Sequence, residues 1–166
     1  PKFAQRKGVF MFSTDSVLLA DFANMSKVRR CADLGCGAGV LAVLLAEKNR
    51  EAFIDGVEIQ PESAALCREN VEANGLENRV RVICGDLREH RKLFKAGEYD
   101  LVVSNPPYFP VGRGGVSPVE ERDLARSESM CSLSDLCRAA AYLCRFGGSF
   151  ALVHRPERLS EIFCAM

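Results

Sequence analysis

Asp100-Leu101-Val102-Val103-Ser104 is a short run of strand formers that stops at Asn105-Pro106-Pro107-Tyr108. Neither proline can donate to a ladder, and each biases the residue before it away from helix. The chain is therefore expected to leave a sheet here in a stiff loop, with Asn105 and the Pro106 carbonyl at the strand's carboxyl end. That end is where open α/β sheets bind ligands. Such a loop suits attack by a planar amino nitrogen, whose delocalised lone pair makes it a poor nucleophile. The Asn105 side-chain oxygen could accept one N–H and the Pro106 carbonyl the other, drawing the nitrogen toward tetrahedral geometry. Fixed acceptors of this kind need no reorganisation as charge develops. Tyr108 could stack on the planar substrate.

A second constellation lies upstream. Arg30–Leu34 reads as a strand running into Gly35-Cys36-Gly37-Ala38-Gly39, and Val40–Glu47 continues as a helix. Glycines let the backbone approach a ligand, and amide N–H groups at a helix start point at it. The spacing is G-x-G-x-G rather than G-x-G-x-x-G, and Asp33 stands just before it. A carboxylate there would repel a pyrophosphate but pair with an ammonium group, which favours S-adenosylmethionine over a dinucleotide. The next strand, 52–58, ends in Glu58, about 20 residues past the turn, whence a carboxylate reaches ribose hydroxyls. A third, 79–86, ends in Asp86. Its carboxylate could accept from an adenine amino group while the Leu87 backbone N–H meets a ring nitrogen.

Strands and helices alternate along the whole chain, so the expected class is α/β, a parallel sheet with helices on both faces. Right-handed crossovers around the glycine turn predict the strand order 3-2-1-4-5. An entry helix capped by Ser13 or Thr14 is predicted to bury Leu18, Leu19, Phe22 and Met25. Pro61 opens a helix to about Asn74, a short helix covers 88–95, and a capping box at Ser132 and Asp135 starts one through Arg145. Gly147-Gly148 is predicted to break that helix before a strand over 149–154, with a last helix from near Pro156. Residues 109–131 show no period, and Arg113, Arg122 and Arg126 are candidates for phosphate contact.

The 166 residues suit one domain, with 1–29 an entry segment and helix and 30–166 the cofactor-binding and catalytic core. Lys+Arg 22 balances Asp+Glu 22, so net charge neither supports nor excludes a nucleic-acid partner. Eight cysteines without a C-x-x-C pair, most of them inside apolar runs, predict reduced, buried thiols rather than disulfides or a zinc site. No secretory signal or membrane-spanning run is legible, so a cytoplasmic location is expected.

With the glycine loop, both acids and N-P-P-Y in register, the chain resembles a Rossmann-like class I S-adenosylmethionine-dependent methyltransferase of the amino-methylating group. Phe12–Ala20 and Ala125-Arg126-Ser127-Glu128 resemble a narrower family, the bacterial tRNA1(Val) adenine-37 N6-methyltransferases. By that resemblance Asp33, Gly35, Gly37, Glu58, Asp86 and Leu87 would hold the cofactor, with Asn105 beside it. Asn105, Pro106 and Tyr108 would hold the target adenine, and Phe12 and Asp15 would border the cofactor pocket. The implied reaction is metal-free, in-line methyl transfer to N6 of an unpaired anticodon-loop adenine in tRNA. N-P-P-Y serves a glutamine side-chain amide of a protein such as a release factor equally well, and an N2-guanine rRNA substrate is a third reading. The Ala125–Glu128 and Phe12–Ala20 stretches favour tRNA. The family's fold ends in a hairpin of two further edge strands, so this chain is expected to be a fragment lacking them.

Overall fold

The computed structural model describes residues 1–4, 13–106 and 131–166. Five strands, β1 (Arg30–Leu34), β2 (Phe53–Glu58), β3 (Val80–Cys84), β4 (Tyr99–Ser104) and β5 (Cys144–Leu152), form one parallel sheet in the order β3-β2-β1-β4-β5. This is the doubly wound, Rossmann-like arrangement that the alternation of elements predicts. The β1 and β4 side chains are almost all buried, because both have strand neighbours and helices on either face. The outer strands β3 and β5 are markedly more exposed.

Alternate residues of each strand feed two cores. Cys31, Ile54, Val80, Leu101 and Val103 face α1 (Thr14–Phe22), α2 (Val40–Lys48) and α3 (Pro61–Ala73). Ala32, Leu34, Val57, Tyr99 and Val102 face the opposite layer, which contains Phe94 and α5 (Leu133–Leu143). That second layer is reached through a 3-10 turn (Leu87–Glu89) and the single-turn α4 (His90–Leu93), where a helix over 88–95 is expected. A second 3-10 turn (Pro156–Arg158) precedes α6 (Leu159–Ala165).

Three expectations are corrected. Leu19 and Met25 of the expected stripe are buried, but the rest of the buried side of α1 is Ser16 and Ala20, continuing to Ala23, whereas Leu18 is 59% and Phe22 80% exposed. Small residues at 16, 20 and 23 let α1 lie close against α2, and the larger Leu18 and Phe22 face outward. Second, α5 ends at Leu143 and β5 begins at once, so Gly147-Gly148 lies inside the strand. The register slips between Tyr99 and Leu101 there, and Gly147 takes φ +75°. A Cβ on Gly148 would stand 2.9 Å from the Tyr99 carbonyl oxygen, so the pair makes a bulge rather than a helix stop. Third, only Cys31, Cys36, Cys67 and Cys137 are buried; all eight cysteines are unbridged, and Cys84 and Cys164 are exposed.

Polar side chains tie the layers together. Lys48 Nζ, at the end of α2, donates to the carbonyls of Ala20, Asp21 and Ala23 and so closes the last turn of α1. Asp55 gathers Arg30 (3.1 Å), Arg81 (2.7 Å) and the buried Tyr99 hydroxyl (2.6 Å) across four strands. Just past the end of α3, the Asn74 carboxamide accepts from Lys2 N–H and donates to Lys2 C=O, both at 2.8 Å. Asn70 does the same for Ala4, at 2.7 and 3.4 Å.

Candidate active site

The strand order reverses between β1 and β4: β2 and β3 lie beyond β1, and β5 beyond β4. Loops leaving neighbouring strands at such a point part to opposite faces and open a crevice. Gly35–Gly39 leaves β1 at this point and Asn105-Pro106 leaves β4. Ser104 Oγ donates to the Leu34 carbonyl (2.7 Å), locking the two strand ends together.

The glycine turn is fixed from beneath. Gly35 and Cys36 both donate to the Val57 carbonyl, at 2.9 and 3.0 Å. Gly35, Gly37 and Gly39 all have positive φ (+77°, +53° and +82°), which only glycine adopts without strain. Space in front of Gly35 and Gly37 is open, whereas a Cβ on Gly39 would meet Cys67 Sγ at 2.4 Å. Asn70, wholly buried, donates to the Ala38 carbonyl (2.9 Å) and carries the turn on α3.

Two carboxylates flank this turn. Glu58 accepts from Gly37 N–H (3.0 Å) and from Gln60 N–H (2.8 Å), so it shapes the glycine turn besides standing where ribose hydroxyls are expected. Asp33 is 1% exposed and accepts from the Ala42 backbone in the first turn of α2, while its Oδ2 is buried with no hydrogen-bond partner. Loss of water, and then the nearby Glu58 charge, push the Asp33 carboxyl up to about 7. A buried carboxyl with an orphaned oxygen, before a glycine turn open toward the crevice, is chemically complementary to a cationic ligand group. The residues present therefore fit an S-adenosylmethionine site.

Asp86 and Leu87 stand at the end of β3, joined to the Glu58 end by Gly85 N–H to Glu58 C=O (2.9 Å). The Asp86 carboxylate is engaged locally: it caps Arg88 N–H and pairs with the Arg88 guanidinium, which holds its carboxyl below the usual range. Any ligand amino group it accepts from would share it with Arg88. Asn105 lies one residue beyond β4, and its Nδ2 donates to Ser13 Oγ (3.2 Å) and Ser16 Oγ (3.0 Å) at the start of α1. Asp15, in the same turn, is half-buried. Pro106 follows Asn105, whereas Tyr108, Phe12, the arginines at 113, 122 and 126 and the Ala125–Glu128 stretch lie outside the described residues.

Asp33, Gly35, Gly37 and Glu58 thus come together, with Asp86-Leu87 on one side and Asn105-Pro106 on the other. Sequence reasoning does not single out Asn70 or Ser16, or give Ser13 any role beyond capping. Each acts on a partner tens of residues away, which leaves no local signal. Among the described residues no group of three His, Cys, Asp or Glu side chains could hold a metal ion, and no helix is long and apolar enough to cross a membrane.

Comparison with known proteins is consistent with this geometry. A tRNA1(Val) (adenine(37)-N6)-methyltransferase of Aeromonas salmonicida is 36% identical over 152 residues, covering 91% of this chain and 62% of that protein. Its Escherichia coli (strain SE11) counterpart is 32% identical over 151 residues, covering 90% and 60%. The chain therefore spans about three-fifths of the length of these curated relatives. Among solved structures, a predicted O-methyltransferase of Agrobacterium tumefaciens superposes with TM-score 0.71 at 25% identity, over 92% of this chain and 66% of that one. TrmN from Thermus thermophilus gives 0.68 at 22%, over 91% and 40%, a likeness of fold. The methyltransferase small domain family matches residues 2–122, a span that includes the glycine turn, both flanking carboxylates and the β4 exit, and this chain belongs to that family.

Proposed function

We propose that this chain is the S-adenosylmethionine-dependent catalytic core of an N-methyltransferase that acts on N6 of an unpaired adenine in tRNA, in the cytoplasm. The observation that carries the reading is the carboxamide of Asn105 held at the β4 exit, across the crevice from the Asp33 carboxyl, whose Oδ2 has no hydrogen-bond partner. The names of the curated relatives at 32–36% identity support adenine N6 as the acceptor.

Bound S-adenosylmethionine supplies a methyl carbon activated by a positively charged sulfur. The chain's part is position and electrostatics. Asp33 would pair with the cationic end of the donor, Glu58 would face its ribose, and Asp86 with the Leu87 N–H would border its adenine. Asn105 Oδ1 and the Pro106 carbonyl accept hydrogen bonds from the two N–H groups of the target amino group, which concentrates its lone pair for attack. Tyr108, outside the described residues, would stack on the base as the family resemblance implies. No strong base is needed, because the nitrogen becomes acidic once methylated and loses its proton to water. An anticodon-loop base is already unpaired, so its extrusion costs little.

The test uses the full-length protein, S-adenosylmethionine with a labelled methyl group, and separate RNA and protein fractions from cells lacking the enzyme. Labelled N6-methyladenosine in digested tRNA is the expected product. N5-methylglutamine in the protein fraction, with unlabelled tRNA, would refute the tRNA assignment.

A further inference from the structure

Ser16 takes the first place in the buried stripe Ser16, Leu19, Ala20, Ala23 of α1. Packing gives no reason for a hydroxyl there, since alanine fills the same space without burying a polar atom. The hydroxyl's partner is Asn105 Nδ2 at 3.0 Å, 89 residues away. Ser13 Oγ, which also accepts from Ser16 N–H as the helix cap, stands 3.2 Å from the same nitrogen. A primary amide has two N–H groups and a terminal torsion that is broad and roughly two-fold, so nothing within the side chain distinguishes its two faces. Two acceptors on one nitrogen remove that ambiguity. They consume both N–H groups on the α1 side and leave Oδ1 on the opposite side of Cγ.

We infer that Ser13 and Ser16 are positioning residues that hold the Asn105 carboxamide with its oxygen, rather than its nitrogen, presented to the target amino group. The inference rests on the role proposed above for Asn105. A rotated amide would present N–H donors to an amino group that itself needs acceptors, so the wrong orientation is inactive. The pair is itself well held. The capped start of α1 carries both hydroxyls, and Lys48 anchors the far end of the helix through three carbonyls. An entry helix that adds no strand to the sheet thereby becomes part of the site's machinery.

The test compares Ser16→Val with Ser16→Thr, two side chains of one shape that differ in the hydroxyl, in the full-length protein with bulk tRNA and tritiated S-adenosylmethionine. Ser16→Val should lower kcat about fivefold, the factor one ordinary hydrogen bond is worth. KM for the donor should stay unchanged, and Ser16→Thr should restore most of the rate. Adding Ser13→Ala should deepen the loss, with melting temperature monitored because that change also removes a cap. Single-turnover rates in an Asn105→Ala background complete a double-mutant cycle, in which Ser16→Val should have no further effect. Equal rates for Val and Thr, or a Val penalty that persists without the Asn105 amide, would overturn the inference. Slow Asn105→Ala beside a fully active Ser16→Val would overturn it while leaving the role of Asn105 intact. Fully active Asn105→Ala would remove that role, and this inference with it.

Discussion

Asp33→Asn should make the ligand-free protein more stable and its donor site worse, and the size of the first effect follows from the burial of the carboxyl. The folded state holds the Asp33 proton up to about pH 7, whereas the ordinary value is 3.8. Between those two values the unfolded chain releases a proton that the native state keeps. The contribution of this raised group is therefore fully present below about pH 4 and is lost as pH rises through 7. Each pH unit inside the window is worth about 1.4 kcal/mol, so from pH 5 to pH 7 the native protein loses roughly 2–3 kcal/mol from this one group. Asparagine does not titrate, and its carboxamide oxygen can still accept from the Ala42 backbone. The stability gap between Asp33→Asn and the parent should therefore widen by about 2–3 kcal/mol between pH 5 and pH 8. Because the gap is a difference between variants, other titrating groups largely cancel. Urea unfolding at several pH values without donor measures it, and calorimetry with S-adenosylmethionine should show weaker binding by the variant. In the parent, binding of the cationic donor below pH 7 should release protons, visible as a buffer-dependent heat. A gap that is constant with pH, or that narrows as pH rises, would refute the argument that Asp33 is a desolvated carboxyl awaiting a cation.

Asn105→Ala should lower turnover by about 10²–10³-fold, the scale of losing a preorganised polar contact to the reacting group. Donor affinity by calorimetry should be nearly unchanged, and equal loss of both would mark the loop as structural. Gly39→Ala should cost about 1–3 kcal/mol and weaken donor binding, because its Cβ meets Cys67 Sγ at a left-handed backbone position. Gly37→Ala, with open space in front of it, should lose only the backbone strain of about 1 kcal/mol; thermal melts of the two separate contact from strain. Asp55→Ala should destabilise by about 2 kcal/mol, chiefly by stranding the buried Tyr99 hydroxyl, since the exposed arginines on Asp55 contribute little. A change below 0.5 kcal/mol in urea unfolding would contradict that.

The sheet order and the glycine turn are legible in the sequence because their determinants are local: a run of strand formers, three glycines at fixed spacing, an acid at the strand end. The same holds for Asn105-Pro106, where a strand must stop. Side-chain partnerships are another matter. Leu18, Leu19, Phe22 and Met25 make as good a helical stripe as Ser16, Leu19, Ala20 and Ala23, and close approach to α2 selects the side with small residues. Asn105 reaches Ser16 across 89 residues, a contact that only the closed fold creates. Gly147-Gly148 shows the opposite failure, a strong local signal that two tertiary contexts can use. Beside the unbroken β4, two glycines form a bulge more readily than a helix stop.

The hold of α3 on the start of the chain has a consequence for how that segment can vary. Asn70 and Asn74 address only main-chain N–H and C=O groups of Ala4 and Lys2, as an adjacent strand would. The side chains at 2 and 4 are invisible to this clasp, so those positions are open to almost any substitution. Proline is the exception, because it lacks the N–H that each carboxamide accepts. One side of that clasp, Asn70, also carries the glycine turn through Ala38. Drift in the segment is thus tolerated by the partner that can least afford to change.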